Sequence, residues 1–270
     1  MFQSNPNLVQ EIPRALQDIQ PPLTPIVLIH DGGGTIYSYF CLGWLNRTVY
    51  GIHNPHYGTD KVWEGGIPQM ARHYVKLIKE VHPEGDLILG GWSLGGLLSL
   101  EASRLLADDP KINVLGIIMI DSVYPRAPVY EKLGNRVVKH VTEWSETTKE
   151  ATKESVQRCF DEAVRMVREW NLPTWERSPD DELYGRELKP PPVWLLRAEE
   201  PVPVLEEGVS RVDLWRQDRY LGWDQYREGM IVRVDDIPGH HFNIFNMDHI
   251  DAVTEKLRIA CEEVEDWAHR

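Results

Sequence analysis

A serine becomes a nucleophile only when a neighbouring base takes its proton and fixed donors receive the charge that develops on the substrate. The segment Gly91-Trp92-Ser93-Leu94-Gly95 is a G-x-S-x-G motif that could start such chemistry. The residues before it, Asp86-Leu87-Ile88-Leu89-Gly90, read as a short buried strand, and those from Leu94 to about Ala107 carry apolar side chains at helical spacing. A strand, a sharp turn and a helix hold a serine clear of the sheet at the mouth of the helix, where unpaired N–H groups can face a forming oxyanion. The turn is so tight that the residues two before and two after the serine must be small. Gly91 and Gly95 meet that need, and Gly90 and Gly96 extend the slack.

The base has to come from among ten histidines. Pro238-Gly239-His240-His241-Phe242 follows a strand-like run, Met230 to Val234, and precedes the last helical pattern, which is where a base serving this kind of elbow is found. His241 is the favoured residue of the pair and His240 the alternative. His30, at the end of a buried strand, is better placed to orient the adjoining loop than to react. Two positions compete for the acid that would accept the imidazole N–H. Asp121 ends the strand directly after the elbow helix, and Glu199 and Glu200 end the next one; parallel neighbours finish on the same edge, so either site could reach the histidine. Asp121 is preferred. Oxyanion donors are expected from the N–H of Leu94 and from the loop after the first strand, Asp31-Gly32-Gly33-Gly34-Thr35, where Gly32 and Gly33 let the backbone approach a substrate closely.

The elements that must carry these residues follow from hydrophobic patterning. Pro25 to His30, Thr48 to His53, Val114 to Ile120, Val193 to Arg197 and Met230 to Val234 are short apolar runs suited to strands buried on both faces. Ile67 to Val81, the elbow helix, and about Asp248 to Trp267 alternate with them as helices, which predicts an α/β fold with a mostly parallel sheet flanked by helices. Residues 1–24 read as a polar N-terminal arm with one short helix, and 25–270 as a single domain. From about 125 to 190 strand-like runs are absent and amphipathic patterns appear, notably Thr152 to Trp170, so an inserted helical lid is expected there. Trp144, Trp170 and Trp175 either line a tunnel under that lid or pack it onto the core.

Composition narrows the partners. The chain has 270 residues and a formal charge of -13, which argues against nucleic acid and against anionic membrane surfaces. Its longest apolar run is far too short to span a bilayer. Three widely spaced cysteines, Cys41, Cys159 and Cys261, show no metal-ligand spacing and suit a reducing compartment. The start at Met1 carries no basic and apolar leader pattern, so a free-standing, cytoplasmic protein with no metal and no cofactor is expected.

Four segments together resemble the thioesterase domains that end polyketide and nonribosomal peptide synthases, particularly fungal ones, within the α/β-hydrolase superfamily. They are Ile26 to Thr35, Gly90 to Gly96, Met119-Ile120-Asp121-Ser122, and Leu221-Gly222-Trp223-Asp224 leading into Gly239-His240-His241-Phe242. The resemblance implies an α/β-hydrolase fold with an inserted lid, and a Ser93, Asp121, His241 triad, with the acid after the strand that follows the elbow helix. It also implies release of an acyl chain from the phosphopantetheine arm of an acyl or peptidyl carrier protein, by hydrolysis or cyclisation. No carrier motif is recognisable in the chain, so action in trans is expected. Carrier proteins are usually acidic, and Arg126, Lys132, Arg136 and Lys139 are a weak candidate patch for docking one. The alternatives are a small-molecule carboxylesterase or lipase-like enzyme using the same residues, and a non-catalytic relative that binds a ligand or partner.

Overall fold

The computed structural model describes residues 4–18, 23–126, 137–138, 144, 147–177, 180, 188–205 and 207–270. Its centre is a seven-stranded sheet of β1 (Asn7–Gln10), β2 (Ile26–Ile29), β3 (Val49–Ile52), β4 (Gly85–Trp92), β5 (Ile112–Ile120), β7 (Val193–Glu200) and β9 (Ile231–His240), in the order β1-β3-β2-β4-β5-β7-β9. All neighbours are parallel except β1, which runs antiparallel to β3. A second, two-stranded pairing joins β6 (Val137–Val138) to β8 (Val209–Ser210). The helices are α1 (Tyr37–Phe40), α2 (Gly66–Val81), α3 (Leu94–Leu106), α4 (Glu150–Glu169) and α5 (Ile250–Ala268).

The apolar runs are continuous because each strand is covered on both sides. Val27, Ile29, Leu87, Leu89, Ile117, Met119 and Leu195 join one core with residues of α2, α3 and α4. Their alternates, Ile26, Leu28, Ile88, Ile118, Ile120 and Leu196, join the other with residues of α1 and α5. The period-2 alternation of a strand thus divides one apolar sequence between two cores. Parallel strands need crossovers, and every helix that supplies one must bury an apolar stripe on the sheet. The α/β architecture with a mostly parallel sheet is therefore as the patterning predicts.

Three details depart from the sequence reading. The N-terminal arm is not free of sheet structure, because Asn7–Gln10 pairs with β3, and the helix in that region is a single 3-10 turn, Arg14–Leu16. One short strand, β6, lies in the stretch from 125 to 190 where none was expected. The last strand does not stop at Val234 but runs to His240, through two aspartates, a proline and a glycine. It is an edge strand, so the missing N–H of Pro238 can face away from the ladder. Asp235 and Asp236 are paired with Arg233, Lys256 and Arg197. Among the described residues no helix is long and apolar enough to cross a membrane.

Candidate active site

Ser93 sits between the end of β4 and the start of α3 with φ 56° and ψ -116°, a left-handed conformation that costs energy for any residue other than glycine. Its N–H donates to the Ile120 carbonyl at 2.9 Å, which ties the turn to β5. The flanking glycines are required by space rather than by their own dihedrals. A Cβ at Gly91 would lie 2.5 Å from the Ile29 carbonyl oxygen, and one at Gly95 would overlap that same atom. The turn is therefore pressed against the end of β2. Tyr39 of α1 reinforces this packing: its buried hydroxyl donates to the Ile29 carbonyl at 2.6 Å and accepts the Trp92 N–H at 2.9 Å.

The structure brings Ser93, His241 and Asp121 into one hydrogen-bonded line. His241 Nε2 is 2.9 Å from Ser93 Oγ, and its Nδ1 is 2.7 Å from Asp121 Oδ2. Asp121 is fully buried, and burial alone would raise its carboxyl. Hydrogen bonds from Arg216 and His241, and their charges, outweigh burial and hold it well below the usual carboxylate range. An ionised Asp121 must accept from Nδ1–H, so Nε2 presents its lone pair to the serine hydroxyl. Of the alternatives, Glu199 and Glu200 are exposed, and His240 faces Glu200 across the sheet register. The Phe242 N–H donates to His240 Nδ1 at 3.3 Å.

Asp121, like Ser93, has a positive φ, 46°, and a separate segment braces its turn. Trp223 donates its indole N–H to the Ser122 carbonyl at 2.7 Å, and the Tyr124 N–H donates to the Leu221 carbonyl at 3.0 Å. Gly222, at φ 85°, leaves room for the face of Trp215, which a Cβ would meet at 2.5 Å. Leu221-Gly222-Trp223 is thus the support of the acid turn, a role its sequence alone does not reveal.

The expected oxyanion residues separate. Leu94, first residue of α3, and Gly32 both line a cavity with Ser93 and His241. Gly33 does not line that cavity, and its N–H acts on the Asp31 carboxyl, lowering it. Burial pushes Asp31 up to about 6, against the pull of that N–H and of nearby His241. His30 is buried beside it and depressed to about 4, first by desolvation; its Nδ1–H donates to the Asp31 carbonyl, and its Nε2 accepts from Tyr74 at 2.6 Å. It holds the loop and lies away from the reacting atoms.

The cavity has a volume of about 600 Å³. Leu97, Val123, Phe160, Val164, Val167, Leu214 and Phe242 give it mainly apolar walls. Such a space suits a drug-sized or acyl ligand. Trp170 and Trp175 are not part of it. Both are buried in the core under α4, where their indoles donate to Glu101 and to the Tyr226 hydroxyl at 2.8 Å each, so they pack this region onto the sheet.

Sequence reasoning missed Arg216. Its guanidinium reaches both oxygens of Asp121 at 2.6 and 2.8 Å across 95 positions of sequence, and no local pattern marks it. Of the candidate basic patch, Arg126 donates to the Trp170 carbonyl and Asn171, while Lys132, Arg136 and Lys139 lie outside the described residues.

Comparison with known proteins gives a consistent family. A family model described as thioesterase domain matches residues 24–261. The chain is 38% identical over 253 residues to the thioesterase frbE of Dothideomycetidae sp., covering 89% of this chain and 90% of that one. It is 32% identical over 286 residues to the nonribosomal peptide synthetase imqB of Aspergillus flavus, covering 98% of this chain and 8% of that one. Among solved structures, the NocB thioesterase domain in covalent complex with a fluorophosphonate nocardicin G analog matches with a TM-score of 0.64 and 21% identity, covering 88% of this chain and 94% of that one, a likeness of fold.

Proposed function

The chain belongs to the thioesterase domain family, and from that premise we propose that it releases an acyl chain from a carrier-bound thioester in secondary metabolism through Ser93, His241 and Asp121. One observation carries the reading: a single imidazole joins a buried carboxylate at 2.7 Å to a serine at 2.9 Å, at the wall of an apolar cavity. His241 takes the Ser93 proton as Oγ attacks the thioester carbonyl. The oxyanion is held by the N–H groups of Leu94 and Gly32, with Gly33 supporting the loop through Asp31. On collapse the C–S bond breaks, the imidazolium returns its proton to the leaving sulfur, and an acyl-enzyme remains. Water, or a hydroxyl or carbon nucleophile of the acyl chain itself, then gives up a proton to His241 and displaces Ser93, so the product is a free acid or a ring.

Within the segment between β5 and β7, the described Val137–Val138 and α4 line the cavity and act as its lid, and the carrier is an acyl or peptidyl carrier protein encountered in trans. The match to one portion of a nonribosomal peptide synthetase supports a carrier-bound substrate. The three free cysteines suit the cytosol. Intact-mass spectrometry with acyl-pantetheine thioesters and their matched oxygen esters tests the proposal. Acyl mass on the wild type or thiol release is expected, both absent in Ser93→Ala, with the thioester preferred. Asp121→Asn should lower turnover by about 10⁴-fold, as loss of the acid does in a protease triad. A preference for oxygen esters would make the protein a carboxylesterase. Failure of Ser93 to react with a fluorophosphonate would leave a binding protein.

A further inference from the structure

Arg216 uses every N–H it has. Nε donates to Asp213 Oδ1 at 2.9 Å, Nη1 to Asp121 Oδ1 at 2.6 Å and the Ala198 carbonyl at 2.9 Å, and Nη2 to Asp121 Oδ2 at 2.8 Å and the Val212 carbonyl at 3.4 Å. Asp121 is equally saturated, because Oδ1 also accepts the Ala198 N–H and Oδ2 also accepts from His241. Asp213 spends its second oxygen on the Val202 N–H at 2.7 Å. All three ionisable groups are buried. A carboxylate that must stabilise an imidazolium has thus been given a full positive charge at hydrogen-bond distance, which weakens its hold on the protonated histidine. Asp213, on the far side of the guanidinium, restores a net single negative charge to the cluster.

We infer that Arg216 and Asp213 are positioning residues that set the protonation equilibrium of the His241–Asp121 pair, Arg216 favouring the neutral imidazole and Asp213 moderating it. The inference rests on the reading of Ser93, His241 and Asp121 as the reacting residues. The other charged or titratable groups that face His241 are Asp31, from the loop after β2, and His240, which itself faces Glu200, Asp213 and His249. Asp31 and Glu200 are untouched by the substitutions below. The same short segment also walls the cavity. Ser210, Arg211, Val212 and Leu214 line it, and Ser210 belongs to β8, which pairs with β6. The clamp on the acid is therefore built from the wall against which the acyl chain would lie.

The test is the rate of fluorophosphonate inactivation against pH, which needs no knowledge of the natural substrate and reads the neutral base directly. Arg216→Gln should move the acid limb to higher pH by about one unit, because the imidazolium then meets an unshared carboxylate, and Asp213→Asn should move it to lower pH by a similar amount. Arg216→Lys, which keeps the charge and loses the fork, should fall between wild type and Arg216→Gln. Shifts of opposite sign cannot come from general loosening of the site. Uniformly slower labelling with an unmoved limb would make the clamp merely structural and overturn the inference. If thermal melts show that Arg216→Gln does not fold, the Arg216→Lys and Asp213→Asn profiles decide together: asparagine can accept from the Val202 N–H or from Arg216 but not both, so opposite displacements of the limb support the inference and an unmoved limb in both overturns it. No label on wild-type Ser93 overturns the triad reading and this inference with it; label with an unmoved limb overturns this inference only.

Discussion

Asp31 is a carboxyl buried next to the loop expected to bind an oxyanion, and it shows how a single residue can carry a stability cost for the sake of local geometry. Its carboxyl rises from 3.8 to about 6, chiefly through burial. A raised folded-state value means that its contribution to stability is fully present below about pH 4 and is lost as pH rises through about 6; above that the charged form is buried at a cost on the order of 3 kcal/mol. His30 works in the opposite direction, being depressed to about 4, so its contribution is present above 6.5 and lost on acidification. Asp31→Asn keeps the shape of the side chain and removes the charge. It should therefore raise the melting temperature by about 5 °C at pH 7.5. The gain should vanish near pH 4, where His30 affects both proteins alike. Thermal melts of the two proteins at both pH values check this; destabilisation at pH 7.5 would mean that the ionised carboxylate is compensated after all. The residues legible in the sequence were those with a local frame. Ser93 has its glycines, His241 its place after the last strand, and Asp121 its strand end. Arg216 and Tyr39 reach Asp121 and Trp92 across 95 and 53 positions, and Asp213 reaches the acid only through Arg216, so nothing in their neighbours' types reveals it.

At the scale of elements, α4 and the glycine loop behave as one unit. The Cβ positions of Gly32, Gly33 and Gly34 would meet, respectively, Phe160 and Ala163, Val156, and Cys159. These four residues are spaced at i, i+3, i+4 and i+7, one stripe of the helix. The amphipathic pattern from Thr152 predicts that helix, Glu150–Glu169 in the structure, but not the surface its stripe covers. Close approach of a substrate accounts for a triple glycine in the sequence; the structure adds close approach of a helix. β1 escaped notice for a related reason. It is four residues long at a sheet edge, with Leu8 half exposed, so it has no apolar run to betray it. The docking of α4 gives a quantitative expectation. A methyl at Gly32 would sit 3.0 Å from the Phe160 ring, which must then move. Gly32→Ala should slow acylation by about tenfold, and Phe160→Ala in the same chain should recover most of that loss, a coupling of about 1 kcal/mol. Single-turnover rates of the four proteins measure it. Strict additivity would mean that the loop and α4 respond independently.

Over the whole molecule the dominant quantity is a formal charge of -13. The architecture neither depends on it nor reveals its use, because net charge bears on association rather than on fold. If the acyl group arrives on an acidic carrier protein, the two bodies repel before they touch, and the described part of the one candidate basic patch, Arg126, already serves Trp170 and Asn171. Repulsion between separated surface charges is screened over about 10 Å at 0.1 M salt, whereas the buried Asp213–Arg216–Asp121 cluster lies beyond the reach of mobile ions. The chemical step and the encounter should therefore answer salt differently. Raising ionic strength from about 20 to 300 mM should increase kcat/KM for an acyl-carrier substrate several-fold through the association rate, while kcat/KM for the corresponding acyl-pantetheine stays constant. Parallel assays of the two substrates across that range separate the cases. A carrier rate that falls with salt would instead require a basic docking surface strong enough to outweigh the whole-molecule field. That surface would then have to lie near the cavity mouth, where the arm bearing the thioester must enter to bring its carbonyl to Ser93.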